Sequence, residues 1–286
     1  MQSTGRGPVN RSSRMDPGNW RKSVPRSTRM KFEAVAAAVE GIPFMTPLLG
    51  RRVYDHILAS RPEHVLELGT AHGVSAAYIA AALEANGRGH VTTVDHGGAA
   101  YDPSPEQVLA TAGLAHRVTI VREHSSYNWF LKQQIEQASD SDGNCQPRFD
   151  FCYLDGSKNW NVDGLAVVLI EKLLRPEGWL LMDDLEWTYE RNPWIAPSGD
   201  GLPLGPLSDS ERTEPHLLAV FELIVRQHPS FTRFIREDAW YGWAQKRPDA
   251  PRRYEVASTR PLGALVANEI RRRRWRAQRG GRRRSP

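Results

Sequence analysis

Apolar residues along the chain gather in short dense runs, with longer amphipathic stretches between them. HVLEL (64–68), HVTTVD (90–95), RVTIVR (117–122), FDFCYLD (149–155) and GWLLMD (178–183) have the length and the β-branched or aromatic content of buried strands. Between them, VSAAYIAAALEA, SYNWFLKQQIEQA and NVDGLAVVLIEKLL carry helix-forming residues and are followed by Gly or Pro. Such alternation predicts an α/β fold, doubly wound, with a mostly parallel sheet covered on both faces. Farther on, PHLLAVFELIVRQH reads as a helix, and FTRFIRED and WYGWAQK read as two strands of an antiparallel edge hairpin. The stretch from Glu190 to Glu214 is loop-like, and a loop of that size predicts a lid or a binding element.

With 286 residues and 40% hydrophobic content, one large core is expected, flanked by tails. The net charge of +5 is unevenly spread: residues 1–30 hold seven Lys/Arg against one acid, and residues 268–286 hold nine Arg against one acid. The part between is therefore acidic, at net −9. We read residues 1–30 as a disordered basic tail, 31–267 as the globular domain and 268–286 as an arginine-rich tail. The arginines around Trp275 suit nucleic acid or an anionic surface, although blocks of like charge are often only solvated ends. Two cysteines form neither a disulfide framework nor a CxxC site, and no apolar run approaches the length of a membrane span or signal peptide. A cytoplasmic location is the expectation.

In an open parallel sheet, ligands bind beyond the carboxyl ends of the strands. The first strand runs into ELGTAHGVS, where Gly69 and Gly73 let the backbone approach a ligand and a helix N-terminus follows. The second strand ends on Asp95, where a carboxylate can accept bonds from both hydroxyls of a ribose. The turn is not GxGxxG, which disfavours a dinucleotide.

VLELGTAHGVSAAYIAAAL resembles the first motif of class I S-adenosylmethionine-dependent methyltransferases, in the form found in the catechol O-methyltransferase group. The similarity continues through VTTVD, HRVTIVREHSS, FDFCYLDGSKNW and LLRPEGWLLMDD. It implies a seven-stranded sheet and S-adenosyl-L-methionine as cofactor. By position, Glu67, Gly69, Ala71, Gly73 and Ser75 would surround the methionine portion, Asp95 would hold the ribose and Ser125 would lie near the adenine. The implied activity is O-methylation of a hydroxylated small molecule: a catechol, a phenol or a sugar-like diol.

LLMDDLEW ends a strand on two acids. If this strand neighbours FDFCYLD, then Asp155, Asp183 and Asp184 converge; unpaired, they would need a cation, and an all-oxygen set suits Mg²⁺. The resembling enzymes commonly hold their metal with two Asp and an Asn, and Asp184 stands where that Asn would be. Lys158 occupies the position of the group's catalytic lysine, a base once desolvation and a nearby dication lower its pKa. The opposing reading has one of the acids capping a helix or pairing with Arg191, with no metal. Trp160, Trp187, Tyr189 and Trp194 would wall the acceptor pocket. Two rivals remain: a nucleic-acid methyltransferase recruited by the arginine tails, and a non-catalytic binding protein. Against the first, LDGS stands where amino-methylating enzymes carry Asn/Asp-Pro-Pro-aromatic.

Overall fold

The computed structural model describes residues 26–98, 100–193, 198–199, 202–203, 207–237 and 240–248. Residues 1–25, the arginine-rich segment 268–286 and Trp194 lie outside the described residues. The chain begins with helices α1 (Arg26–Ala38) and α2 (Pro47–Ser60) before strand β1 (His64–Leu68). It then alternates through α3 (Val74–Asn86), β2 (His90–His96), α4 (Pro105–Thr111), β3 (Val118–Glu123), α5 (Tyr127–Ala138), β4 (Phe149–Leu154), α6 (Trp160–Leu173) and β5 (Leu174–Met182). A two-residue pair, β6 (Ser198–Gly199) with β7 (Leu202–Pro203), lies in the long loop. Helix α7 (Asp209–Thr213), α8 (His216–Ala219) with a wide π turn over 220–225, and strands β8 (Phe231–Glu237) and β9 (Tyr241–Lys246) complete the described elements.

The main sheet has seven strands in the order β3-β2-β1-β4-β5-β9-β8. The first five are parallel, and β9 and β8 run antiparallel at one edge. All of it belongs to one compact unit ending at Pro248. The five predicted parallel strands and the hairpin are all present. Helix α1 starts at Arg26, inside the segment read as a tail, and α2 and α4 are additions to the predicted elements.

Strand residues alternate between two cores, as a period of two requires. Val65, Phe151, Tyr153, Leu181 and Trp243 face the layer of α1, α2 and α3. Leu66, Leu68, Val94, Cys152, Leu154 and Met182 face the layer of α5, α6 and α8. Cys152 serves as a small buried hydrophobe and is a free thiol. Helix α3 is largely alanine and buried nearly all round, which lets α1 and α2 pack over it. Its ends are set by Gly73 and Gly87, both left-handed. β5 starts four residues earlier than its apolar run suggests, because Leu174 pairs with Phe149 of β4 ahead of a bulge, with Glu177 at φ 63°, that separates it from the Trp179–Phe151 pair.

Candidate active site

A cleft of about 580 Å³ opens beyond the carboxyl ends of β1, β2, β4 and β5, where the strand order reverses around β1. Backbone bonds step across the sheet end: Gly69 N–H donates to Val94 O (2.9 Å), Asp155 N–H to Leu68 O (2.8 Å) and Asp183 N–H to Leu154 O (3.1 Å). Each strand thus fixes the turn leaving its neighbour, so the glycine turn and the acids share one rim. Gly69 has φ +101°, and a Cβ there would stand 2.3 Å from Asp155 O. Glycine is required by both conformation and space. Gly156 is equally confined, since a Cβ would meet the Tyr127 ring at 2.4 Å.

Strain collects at the cleft. The described non-glycine residues with left-handed backbone are Phe44, Arg61, Ala71, Lys158, Glu177 and Asp184, and four of these six line it. Such conformations cost about 1–3 kcal/mol each and persist where the surroundings enforce them.

On the glycine-turn side, Glu67 is fully buried at the end of β1. Thr93 donates a hydroxyl to its Oε2 (2.5 Å), while Oε1 is buried without a hydrogen-bond partner. Burial pushes the Glu67 carboxyl up to about 8, against the opposing effect of the Thr93 and Ser75 hydroxyls. Asp95 lines the cleft and also fastens the turn: its Oδ2 accepts from Thr70 N–H (3.0 Å) and Ala71 N–H (2.7 Å). Gly69, Ala71 and Ser75 line the cleft as well, and Gly73 N-caps α3, where an added Cβ would meet Pro105 at 3.0 Å. A smaller lobe of about 240 Å³ continues past Tyr101 to Ile120 and Arg122 of β3. Ser125, half-buried after β3, lines neither the cleft nor the lobe.

The acidic side departs from the expectation. The three carboxylates are not unpaired: Lys158 Nζ bonds Asp155 and lies 3.1 Å from Asp184 Oδ2. Asp183, 4% exposed, accepts from the Tyr153 hydroxyl and, on its other oxygen, from Asp184 N–H (2.7 Å). The counter-charge inferred for a metal is therefore supplied here by the protein's own ammonium. Among the described residues no group of three His, Cys, Asp or Glu is assembled as a metal site. Burial pulls the Lys158 pKa down, but Asp155, Asp184 and Asp183 together outweigh it and hold it above the ordinary lysine range. A lowered value, the condition for Lys158 to act as a base, is not met in this arrangement. Burial, then the neighbouring acids, hold Asp183 well above the usual carboxylate range.

Of the aromatic residues expected to form the wall, Trp187 lines the cleft. Trp160 opens onto a separate pocket with His216, and Tyr189 packs edge-on against Trp187 and His216. Phe44, His72 and Tyr101 line the cleft unpredicted, as no local periodicity marks them. Tyr153 had a legible signal: alternation in FDFCYL puts it on the face that Asp155 continues.

Residues 66–185 match the family model described as a methyltransferase domain. The fold is similar to that of the O-methyltransferase from Bacillus cereus solved in complex with SAH, at TM-score 0.50 and 18% identity, covering 79% of this chain and 93% of that one. It is also similar to the SAH-bound methyltransferase PaMTH1 of Podospora anserina, at TM-score 0.52 and 17% identity, covering 79% and 89%. No curated protein matches the chain.

Proposed function

We infer, from the premise that residues 66–185 are a methyltransferase domain within the class I S-adenosylmethionine-dependent O-methyltransferase fold, that this protein methylates a hydroxyl oxygen of a small molecule. The observation that carries the reading is the joining of two half-sites in one cleft: a glycine turn shaped for close approach and a half-buried acid–lysine cluster beside it.

The residues fit the cofactor. The turn at Gly69 has no room for a Cβ, Ala71 and Ser75 line the cleft beside it, and Asp95 lines it near the end of β2, where a ribose diol would sit; Glu67 is buried behind this turn. S-adenosylmethionine supplies an electrophilic methyl group. The chain's part is to hold acceptor oxygen and methyl in line and to exclude water, which is the larger share of such catalysis. Trp187 and Phe44 present ring surface to an acceptor at the mouth.

For a divalent cation, Asp155 and Asp184 fit as a pair, because both already bind one cation, the Lys158 ammonium. Asp183 would orient them, its own oxygens being engaged by Tyr153 and the Asp184 backbone. A bound dication would lower the pKa of an acceptor hydroxyl and fix its oxygen. Lys158 is assigned as the residue that takes up the acceptor's proton. Its carboxylate neighbours keep it protonated while they face it, so it accepts a proton only from an arrangement in which Asp155 and Asp184 are engaged elsewhere.

The test is methyl transfer from labelled S-adenosylmethionine to catechols, polyhydroxylated small molecules and RNA, with Mg²⁺ and with a chelator. Transfer to a vicinal diol that the chelator abolishes supports both halves of the reading; chelator-resistant transfer removes the metal and keeps the O-methylation. Label found only in RNA favours the second reading, methylation of nucleic acid brought in by the nine arginines of residues 268–286.

A further inference from the structure

His72 sits in the glycine turn between β1 and α3, and two other segments meet on it. Its Nδ1 is 2.7 Å from the carbonyl oxygen of Pro103. A carbonyl only accepts, so Nδ1 carries a proton and donates it to this bond. The imidazole stacks on Phe44, with centroids 5.7 Å apart and planes at 27°, and meets Tyr101 at 5.0 Å and 60°. Phe44 precedes α2, whereas Tyr101 and Pro103 belong to the loop between β2 and α4. All three rings line the cleft, and Tyr101 also lines the smaller lobe.

Phe44 is held in a costly state. Its backbone is left-handed at φ 78° and the residue is 69% exposed, two conditions that disfavour phenylalanine. The ring contact that Phe44 makes is with His72, which is itself 8% exposed in the floor of the turn. The geometry implies a division of labour on one side chain. The Nδ1–H tethers the β2–α4 loop to the glycine turn, and the ring face carries the segment before α2.

Resting on the reading of this cleft as the cofactor and acceptor site, we propose that His72 is a positioning residue that assembles the cleft wall through two separable contacts: its hydrogen bond to Pro103 sets the cofactor side, and its stack on Phe44 sets the acceptor side. Neither contact requires His72 to touch the reacting atoms.

Two variants of the full chain separate the contacts. His72→Phe keeps a ring for Phe44 and loses the donor; His72→Asn keeps a side-chain N–H for Pro103 and loses the stack. SAH binding by calorimetry reads the cofactor side, and the rate of chymotryptic cleavage after Phe44 reads the acceptor-side segment. Both are measured below each variant's melting transition. His72→Phe should weaken SAH binding about three- to tenfold, as expected for one lost hydrogen bond, with Phe44 cleaved at the wild-type rate. His72→Asn should speed cleavage after Phe44 about threefold or more, while SAH binding weakens less than in His72→Phe, since only the ring contact with Tyr101 is lost on that side. Equal effects of the two variants on both readouts, no effect of either, or loss of the fold in either would overturn the proposal and leave His72 a purely structural residue. Failure of the wild-type chain to bind SAH would instead sink the cofactor reading itself.

Discussion

Substituting alanine for Gly69 tests directly how the cleft is built. The new Cβ would stand 2.3 Å from the Asp155 carbonyl oxygen, 2.7 Å from its carbonyl carbon and 3.0 Å from Gly156 Cα. All three are backbone atoms of the turn after β4, so no side-chain rotation relieves the clash. Gly87, at the far end of α3, is the internal control, since its φ is +71° but nothing lies within 4 Å of a Cβ. Gly87→Ala therefore measures the left-handed penalty alone, about 1–2 kcal/mol. Gly69→Ala adds overpacking of about 1–3 kcal/mol, for a total of about 2–5 kcal/mol. In a domain of this size each kcal/mol lowers Tm by about 2–4 °C, so the two variants should separate in a thermal melt. Urea titration at constant slope gives the free energies, and an SAH titration follows the site. Gly69→Ala should lose SAH affinity by about tenfold or more, because the turn must leave β4 to make room, while Gly87→Ala binds as wild type. Equal destabilisation of the two variants, or unchanged SAH affinity in Gly69→Ala, would refute the close-approach argument.

Three further outcomes follow from the same geometry. Glu67 has a folded pKa of about 8 against an ordinary value of 4.5, so the folded state holds a proton that the unfolded chain releases. Its stabilising contribution is full below pH 4.5 and fades as pH rises to about 8; Glu67→Gln should flatten that part of the stability-versus-pH curve, and an unchanged slope in urea titrations would contradict the burial assignment. Lys158→Met leaves Asp155, Asp183 and Asp184 without their cation and should lower turnover about 100-fold or more while SAH binding is retained; turnover near the wild-type rate would remove Lys158 from the chemistry. Tyr153→Phe takes a donor from buried Asp183 at a cost of about 1–3 kcal/mol, read as a lower Tm, and a melt identical to wild type would show that Asp183 needs no such partner.

The parallel strands were legible because each is a short apolar run ending at a polar turn, and their buried faces tolerate nothing else. Helix α2 was hidden by Gly50, which reads as a breaker; the structure uses it to seat the Tyr78 ring, 2.4 Å from where a Cβ would be. Helix α4 had a signal that went unread, the capping box formed by Ser104 and Gln107 ahead of a short apolar stretch. Gly69 and Asp95 reach the cleft because their places at strand ends put them there, whereas Glu67, drawn from the resemblance, is buried behind the turn. The pairing of Lys158 with Asp155 and Asp184 was not legible. It depends on a left-handed turn at Lys158, φ 58°, and on the adjacency of β4 and β5, so charge balance alone pointed outward to a metal. His72 escaped notice for a similar reason: its partners, Phe44 and Pro103, are distant in sequence and join it only in the fold.

The interior position of β5 bears on how the protein is synthesised. The matched segment stops at residue 185, immediately after this strand, yet β5 acquires its second neighbour only when β9 is made. Between Met182 and Tyr241 a ribosome adds about 60 residues, which takes several seconds at about 5–20 residues per second. Throughout that interval the strand leading into Asp183 and Asp184 presents an unpaired apolar edge, the kind that recruits other chains. A transplanted or separately expressed 66–185 segment would keep that edge permanently. Protection of that edge therefore arrives only with β9, the last of the described strands.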